Sequence, residues 1–347
     1  MELIDTPFNP RPPGGNFVGL RAADGVRLRA AVWRPHGTPR GTVALFQGRA
    51  EYIEKYYEVI GELLARDFAV ATFDWRGQGL SQRLLRDRHK GHVPRATDYR
   101  LDLAAFQQHV LLPDCPRPWF ALAHSMGGAA LLDYAGAGVD AAPYERIVSI
   151  APLIDLYGWT GSGVARRLAF FLNAAGLGRM SATLGGRRTL ADLPFANNVL
   201  TRDPRRFSRS VETLRAAPAL ALGAPTLGWV HAAFELGARL KSDGFAENIR
   251  TPALFLAAGN ERLVSNPAIE RFARRLKNAA CVVVADCEHE LMMERDEIRA
   301  QFWAAFDAFI PGEPFLHRAN AKRAQEQRVQ EQRAQQQGAA AASASPA

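Results

Sequence analysis

Short apolar runs alternate with segments of helical spacing over most of the chain. "NFVGLRA" (16–22) and "VRLRAAVWRP" (26–35) predict two strands joined by the turn "ADG". Further buried strands are predicted at 42–48, 68–75, 119–125, 146–152, 251–259 and 281–287, each a run of apolar residues. Between them, Tyr56, Ile60, Leu63 and Leu64 recur at helical spacing within 53–66. Helices are also expected at 98–110, directly after Ser125, at 267–276 and at 295–309. Strands apolar on both faces, alternating with helices, predict an α/β fold. Its mostly parallel sheet would be covered by helices on both faces.

One segment breaks this rhythm. Residues 153–248 hold helical patches, glycines and prolines but no strand pattern. They read as a helical cap inserted between two parts of an α/β core, 1–152 and 249–316. Such an insertion would lie over the carboxyl ends of the strands, where open α/β sheets bind ligands. The end, 317–347, has a near-repeat, "AQEQRVQEQR", and an Ala/Ser finish. It lacks the large apolar residues a core needs and reads as a low-complexity, disordered tail.

Composition adds constraints. With 347 residues, 48% of them hydrophobic, the chain can bury a sizeable core. Its net charge of +8 is carried almost entirely by arginine and suits anionic partners such as phospholipid headgroups. No basic run interleaved with aromatics points to nucleic acid. Cys115, Cys281 and Cys287 have neither metal-ligand spacing nor the even count of a disulfide scaffold, so reduced thiols in the cytoplasm are expected. The start has no apolar signal region. The longest uncharged run, 216–234, is broken by Pro218, Gly223, Pro225 and Gly228, against a membrane span. No metal or organic cofactor is implied, and the oligomeric state is left open.

Candidate chemistry begins at "ALAHSMGGAA" (121–130). Ser125 follows an apolar strand and precedes a helix, which is the context of the G-x-S-x-G nucleophile elbow. Ala123 stands where that motif has its first glycine; an N-capping serine would give the same local pattern. His289 lies just past the final strand and is the candidate base, whereas His124, adjacent to Ser125, should point away from it. Glu261, in the loop after strand 251–259, is the candidate acid that would orient the histidine. Asp155 competes for that role. Asp286 and Glu288 flank His289 too closely to wrap onto its ring. The order Ser…Glu…His is the one expected on this fold. Backbone N–H groups of Met126 and Arg49 are the candidate oxyanion donors.

"AHSMGG", "DWRGQGLSQR", "KGHV", "FQGRAEYIEKY", "NERLVSN" and "EHELMMERDEIR" resemble the lysophospholipase and monoglyceride-lipase group of α/β hydrolases, over roughly 17–309. The resemblance implies Ser125 as nucleophile, Glu261 as acid, His289 as base, and Arg49 and Met126 as oxyanion donors. It implies a serine ester hydrolase for a monoacyl lipid; separately, the positive charge suits peripheral contact with an anionic membrane surface. Apolar stretches 216–234 and "LAFFL" (168–172) are candidate walls for the acyl chain. Cap residues 153–248 carry twelve Arg/Lys against seven Asp/Glu, an excess that weakly favours a phosphate headgroup. The alternatives are a serine aminopeptidase or amidase, and a non-catalytic binding protein on the same scaffold.

Overall fold

A computed structural model describes residues 2–310 except 139–142, 159–162 and 184–185. The expected tail at 317–347 lies outside the described residues. By contacts the chain divides into Met1–Trp303 and Ala304–Ala347, and the site lies wholly in the first unit.

Eight strands form one sheet in the order β1-β2-β4-β3-β5-β6-β7-β8. The hairpin β1 (Asn16–Arg21) and β2 (Arg27–Trp33) is antiparallel, and β2 meets β4 (Ala69–Asp74) antiparallel. From there the sheet is parallel through β3 (Thr42–Phe46), β5 (Trp119–His124), β6 (Arg146–Ile150), β7 (Ala253–Ala258) and β8 (Ala279–Val284). Chain order reverses at β3, which lies between β4 and β5, so the loops after β3 and β5 diverge and leave a crevice at their carboxyl ends. Helices α1 (Tyr57–Leu64), α2 (Asp98–Phe106), α3 (Ser125–Gly136), α7 (Asn266–Arg275) and α8 (Asp296–Phe309) follow the strands.

The interior strands β3, β4, β5 and β7 are buried throughout, as uninterrupted apolar runs require. The two edges depart from that expectation. β1 is mostly exposed, and Val282 and Val283 of β8 are about half exposed, because an edge strand is covered less completely than an interior one. Phe46, Phe73, Trp75 and Phe106 pack edge-on or tilted beneath the β3 loop, with centroids 4.7–6.1 Å apart. Beside them Arg29, fully buried, bridges Glu54 and Asp74 at 2.7 Å each. Asp74 also accepts from the N–H groups of Ile53 and Leu80, which pins the loops after β3 and β4 to the sheet.

Residues 153–248 contribute α4 (Gly163–Ala174), α5 (Pro204–Ala216), α6 (Leu227–Lys241) and short 3-10 turns, with no strand of the main sheet among the described residues. Asp203 caps α5 by accepting from the N–H groups of Arg205 and Arg206, and Thr226 caps α6 through Trp229.

The strand-to-helix turn at Ser125 is made by close approach. A Cβ on Gly127 would stand 2.3 Å from the Gln47 carbonyl oxygen and 2.9 Å from that of Phe46. A Cβ on Gly128 would meet Ser149 Oγ at 2.7 Å. Ala123, in register with Phe46 and Ser149, is buried and fits with its single methyl. Gly127→Ala should lower stability by about 1–3 kcal/mol, the usual cost of overpacking against fixed backbone. Urea unfolding checks this; an unchanged midpoint would mean that the β3 loop yields freely.

Candidate active site

Three loops at the carboxyl ends of the parallel strands bring together residues far apart in sequence. Ser125 stands at the start of α3 with φ +51°, in the left-handed region that costs a non-glycine residue energy. Of the four other non-glycine residues with positive φ, Ala50, Ala151 and Asp286 lie in the loops after β3, β6 and β8, and only Asp67, before β4, lies at the other end. Strain is thus concentrated at the site end of the sheet. The Ser125 carbonyl accepts from Leu153 N–H at 3.1 Å, which ties the turn to the chain leaving β6.

His289 Nε2 lies 2.9 Å from Ser125 Oγ, and His289 Nδ1 lies 2.7 Å from Glu261 Oε2. The other Glu261 oxygen accepts from the N–H groups of Leu263 (2.7 Å) and Val264 (3.1 Å). With Nδ1–H donating to the carboxylate, Nε2 is left with the lone pair that can take the serine proton. Burial would raise the Glu261 pKa. The His289 hydrogen bond and charge and the two backbone donors more than offset it and hold the carboxyl below its ordinary 4.5. All three side chains are buried.

Asp155, the competing acid, is committed elsewhere: its Oδ2 lies 2.5 Å from Lys241 Nζ and its Oδ1 accepts from Leu156 N–H. Asp286 is 3.8 Å from an Arg202 nitrogen, and Glu288 is held by Arg262 at 3.1 Å. Neither reaches the His289 ring.

The oxyanion candidates are both backbone groups. Met126 N–H is in the first turn of α3, where a helix has no internal acceptor to offer. In the β3 loop, Gly48 N–H donates to Glu51 and Ala50 N–H to Gln78. Between them Arg49 N–H has no acceptor among the described residues.

His124 points away from the nucleophile, as its adjacency to Ser125 predicts, and toward a buried polar cluster. His124 Nδ1 faces Glu51 Oε2 at 3.1 Å and Nε2 faces the His289 carbonyl oxygen at 3.2 Å. Both partners are acceptors only, so satisfying both requires both ring nitrogens to carry protons. Burial would lower the His124 pKa, but Glu51 prevails and it is raised. Lys55 joins the cluster at 2.9 Å from Glu51 and 2.5 Å from Glu290. Glu51 and Lys55 are four residues apart in "EYIEK", which is the only local sign of this network. Another expectation is corrected. Leu168, Phe170 and Phe171 of "LAFFL" are exposed, because α4 turns only its small residues Ala165 and Ala169 inward, toward Phe234. Trp229, Ala232 and Ala233 of α6, from the other stretch, line a small apolar cavity with Met126, Tyr99 and Leu153.

A mostly parallel sheet with a serine elbow and a Ser–His–Glu hydrogen-bonded chain at its carboxyl edge defines an α/β hydrolase. The family model described as "Serine aminopeptidase, S33" matches residues 37–296, and the chain belongs to that family. Lysophospholipase L2 of Escherichia coli K12 is 36% identical over 294 residues, covering 82% of this chain and 83% of that protein. Rat monoglyceride lipase is 27% identical over 62% of this chain and 70% of its own length. A soluble variant of monoglyceride lipase from Saccharomyces cerevisiae superposes with a TM-score of 0.67 at 18% identity, over 88% of this chain and 97% of that one. The last likeness concerns the fold. No helix among the described residues is long and apolar enough to cross a membrane.

The lowered Glu261 pKa has a definite sign. A carboxyl held below 4.5 in the folded state stabilises fully above that value and loses its contribution as pH falls through the lower, folded value. Stability of the wild type should therefore fall more steeply than that of Glu261→Gln between about pH 5 and pH 3. Denaturant titrations at several pH values test this; parallel curves would remove Glu261 from the acid response. Ester turnover by Glu261→Gln should drop by about 10²–10⁴, and Asp155→Asn should stay within about threefold of wild type. The reverse pattern would make Asp155 the acid.

Proposed function

We propose that the protein is a serine ester hydrolase acting on monoacyl lipids, with Ser125 as nucleophile, His289 as general base and Glu261 as its orienting acid. The observation that carries this reading is the continuous chain from Ser125 Oγ through His289 to Glu261, in a protein 36% identical to a lysophospholipase. His289 Nε2 takes the Ser125 proton as Oγ attacks the ester carbonyl carbon. The tetrahedral oxyanion is met by the N–H groups of Arg49 and Met126. Collapse breaks the ester bond; the departing alcohol takes the proton from His289 and leaves an acyl-serine. Water, deprotonated by His289, then adds to the acyl carbonyl; the carbon–Oγ bond breaks, His289 returns the proton to Ser125 Oγ, and the fatty acid is released. No step calls for a metal or cofactor.

Residues 153–248 serve in this reading as a cap that shields the acyl chain, with Trp229, Ala232 and Ala233 supplying apolar wall beside Met126. A peptidase role, which the family description raises, would need free carboxylates to hold an amino terminus. Of the seven carboxylates at 153–248, Asp155, Asp203, Glu212 and Glu247 pair with Lys241, Arg206, Arg215 and Arg275, Asp192 accepts from Thr189, and Glu235 lies 3.4 Å from His231, which leaves Asp243. Those pairings favour the ester.

The same cap suits the surface of an anionic membrane. Val164, Leu168 and Phe171 are 77%, 57% and 64% exposed and share one face of α4, the reverse of an ordinary surface helix. The sequence from 156 to 191 contains Arg166, Arg167, Arg179, Arg187 and Arg188 and no acidic residue. Apolar side chains flanked by arginines are the composition of an interfacial helix. We place the protein in the cytoplasm with this face on the membrane.

A fluorophosphonate probe should label the wild type and not Ser125→Ala; labelling that survives the substitution would sink the enzyme reading. Among lysophosphatidylcholine, monoacylglycerols, p-nitrophenyl esters and aminoacyl amides, monoacyl lipid esters should be turned over fastest. Preference for the amides would install the peptidase instead. Leu168→Glu/Phe171→Glu should cut cosedimentation with phosphatidylglycerol vesicles by about tenfold, with p-nitrophenyl butyrate turnover as the check on folding. Undiminished cosedimentation would free α4 of that role.

A further inference from the structure

Four arginines, Arg29, Arg76, Arg206 and Arg299, are buried among the described residues, and each answers carboxylates. Arg29 bridges Glu54 and Asp74; Arg76 pairs with Asp24 and Asp102; Arg206 with Glu58 and Asp203; Arg299 with Glu58 and Glu62. Arg83 has no carboxylate but spends its guanidinium on the carbonyls of Gly77, Ala219, Leu220 and Ala221. Arg49 is different. Its only hydrogen bond among the described residues is Nη2–H to the Gly223 carbonyl at 2.5 Å. Its Nε is buried with no acceptor. A guanidinium has five N–H donors; here Nε is buried and unspent, while the residue as a whole is half-buried, its guanidinium open to an incoming group.

Its position is built rather than incidental. The guanidinium carbon lies 5.2 Å from the centre of the Trp229 ring, and Trp229 also lines the cavity at Met126. A Cβ on Gly91 would stand 2.7 Å from Arg49 Nη2, so glycine leaves the slot open. Burial pushes the guanidinium pKa down to about 10, with Tyr99 opposing, and it remains charged at neutral pH. A cation in these surroundings is stabilised by an anion that arrives with the substrate.

We propose that the Arg49 side chain receives the phosphate of a lysophospholipid headgroup, making Arg49 a specificity-determining residue for phosphate-bearing monoacyl esters. This rests on the reading of the site as that of an ester hydrolase. Reach agrees with it. In a glycerophospholipid monoester the phosphorus is about six bonds from the ester carbonyl carbon, and the guanidinium carbon is about six bonds from its own backbone nitrogen. A carbonyl oxygen at Arg49 N–H therefore leaves the phosphate within range of the same residue's guanidinium. A neutral monoacylglycerol would use the backbone donor and leave the side chain unanswered.

The test compares 1-oleoyl lysophosphatidylcholine with 1-monoolein in the same uncharged mixed micelles, so that acyl chain and surface are held constant. For Arg49→Met the ratio of kcat/KM on the phospholipid to kcat/KM on monoolein should fall at least tenfold, mainly through KM, whatever loss the two share. Arg49→Lys, which keeps the charge, should recover part of the ratio. In the wild type, glycerol 3-phosphate should inhibit monoolein hydrolysis at concentrations where glycerol does not, a measurement that needs no variant to fold. An unchanged ratio in Arg49→Met, or equal inhibition by the two small molecules, would overturn the proposal and leave Arg49 as a clamp on Gly223. A wild type that cleaves neither oleoyl ester would instead overturn the hydrolase reading itself.

Discussion

One buried carboxylate holds the site together. Glu51 accepts from Gly48 N–H in the β3 loop, from Tyr56 O–H, from Lys55 and from His124. Through His124 it reaches the carbonyl of His289, and through Lys55 it reaches Glu290. Three loops that must agree in position, those carrying Arg49, Ser125 and His289, are thus referred to a single group. The cluster is also balanced in charge: Glu51 and Glu290 against Lys55 and protonated His124. A neutral His124 would leave a net negative charge out of contact with water and one acceptor unanswered. Removing any one member leaves its partners buried and unpaired, a change that typically costs about 3–5 kcal/mol. Such a network sets position more than it adds stability, since an apolar core of the same volume would be as stable.

The fold was legible because its signals are local. Each interior strand is an apolar run, each following helix has its own period, and the elbow is marked by Ser125 with two glycines after it. The Ser125, Glu261 and His289 positions were legible for the same reason, since Ser125 directly follows a strand and the other two stand in the loops that leave one. The Glu51 cluster was not, because its members sit at 51, 55, 124 and 290 and a lone Glu or Lys is ordinarily solvated. Burial of a charge is a tertiary fact. The orientation of "LAFFL" failed for a related reason. An apolar run tells that a helix has large side chains, and the alanines at 165 and 169 decide which face goes inward. The Ala/Ala face packs closely against Phe234 and leaves the phenylalanines outside.

Both ends of the substrate problem are met by residues that look wasteful if the protein is read as a stable globule alone. The outward face of α4 exposes apolar surface that would be worth roughly 1.5–3 kcal/mol per side chain if buried. Arg49, half-buried, holds a charge without a counter-ion among the described residues and with its Nε buried and unanswered. A substrate that is half hydrocarbon and half phosphate, delivered from an anionic surface, would bring what each is missing. The elbow follows the same logic, with Ser125 held at positive φ by the packing of Gly127 and Gly128 against β3 and β6. In each case the surrounding core, from the Arg29 ion triad to the Phe46 aromatic cluster, supplies the rigidity that lets a few residues stay in positions they would not choose alone. Rigidity at the base of the sheet and unmet interactions at its carboxyl edge are therefore two parts of one arrangement. The first keeps the second from relaxing before the ester arrives.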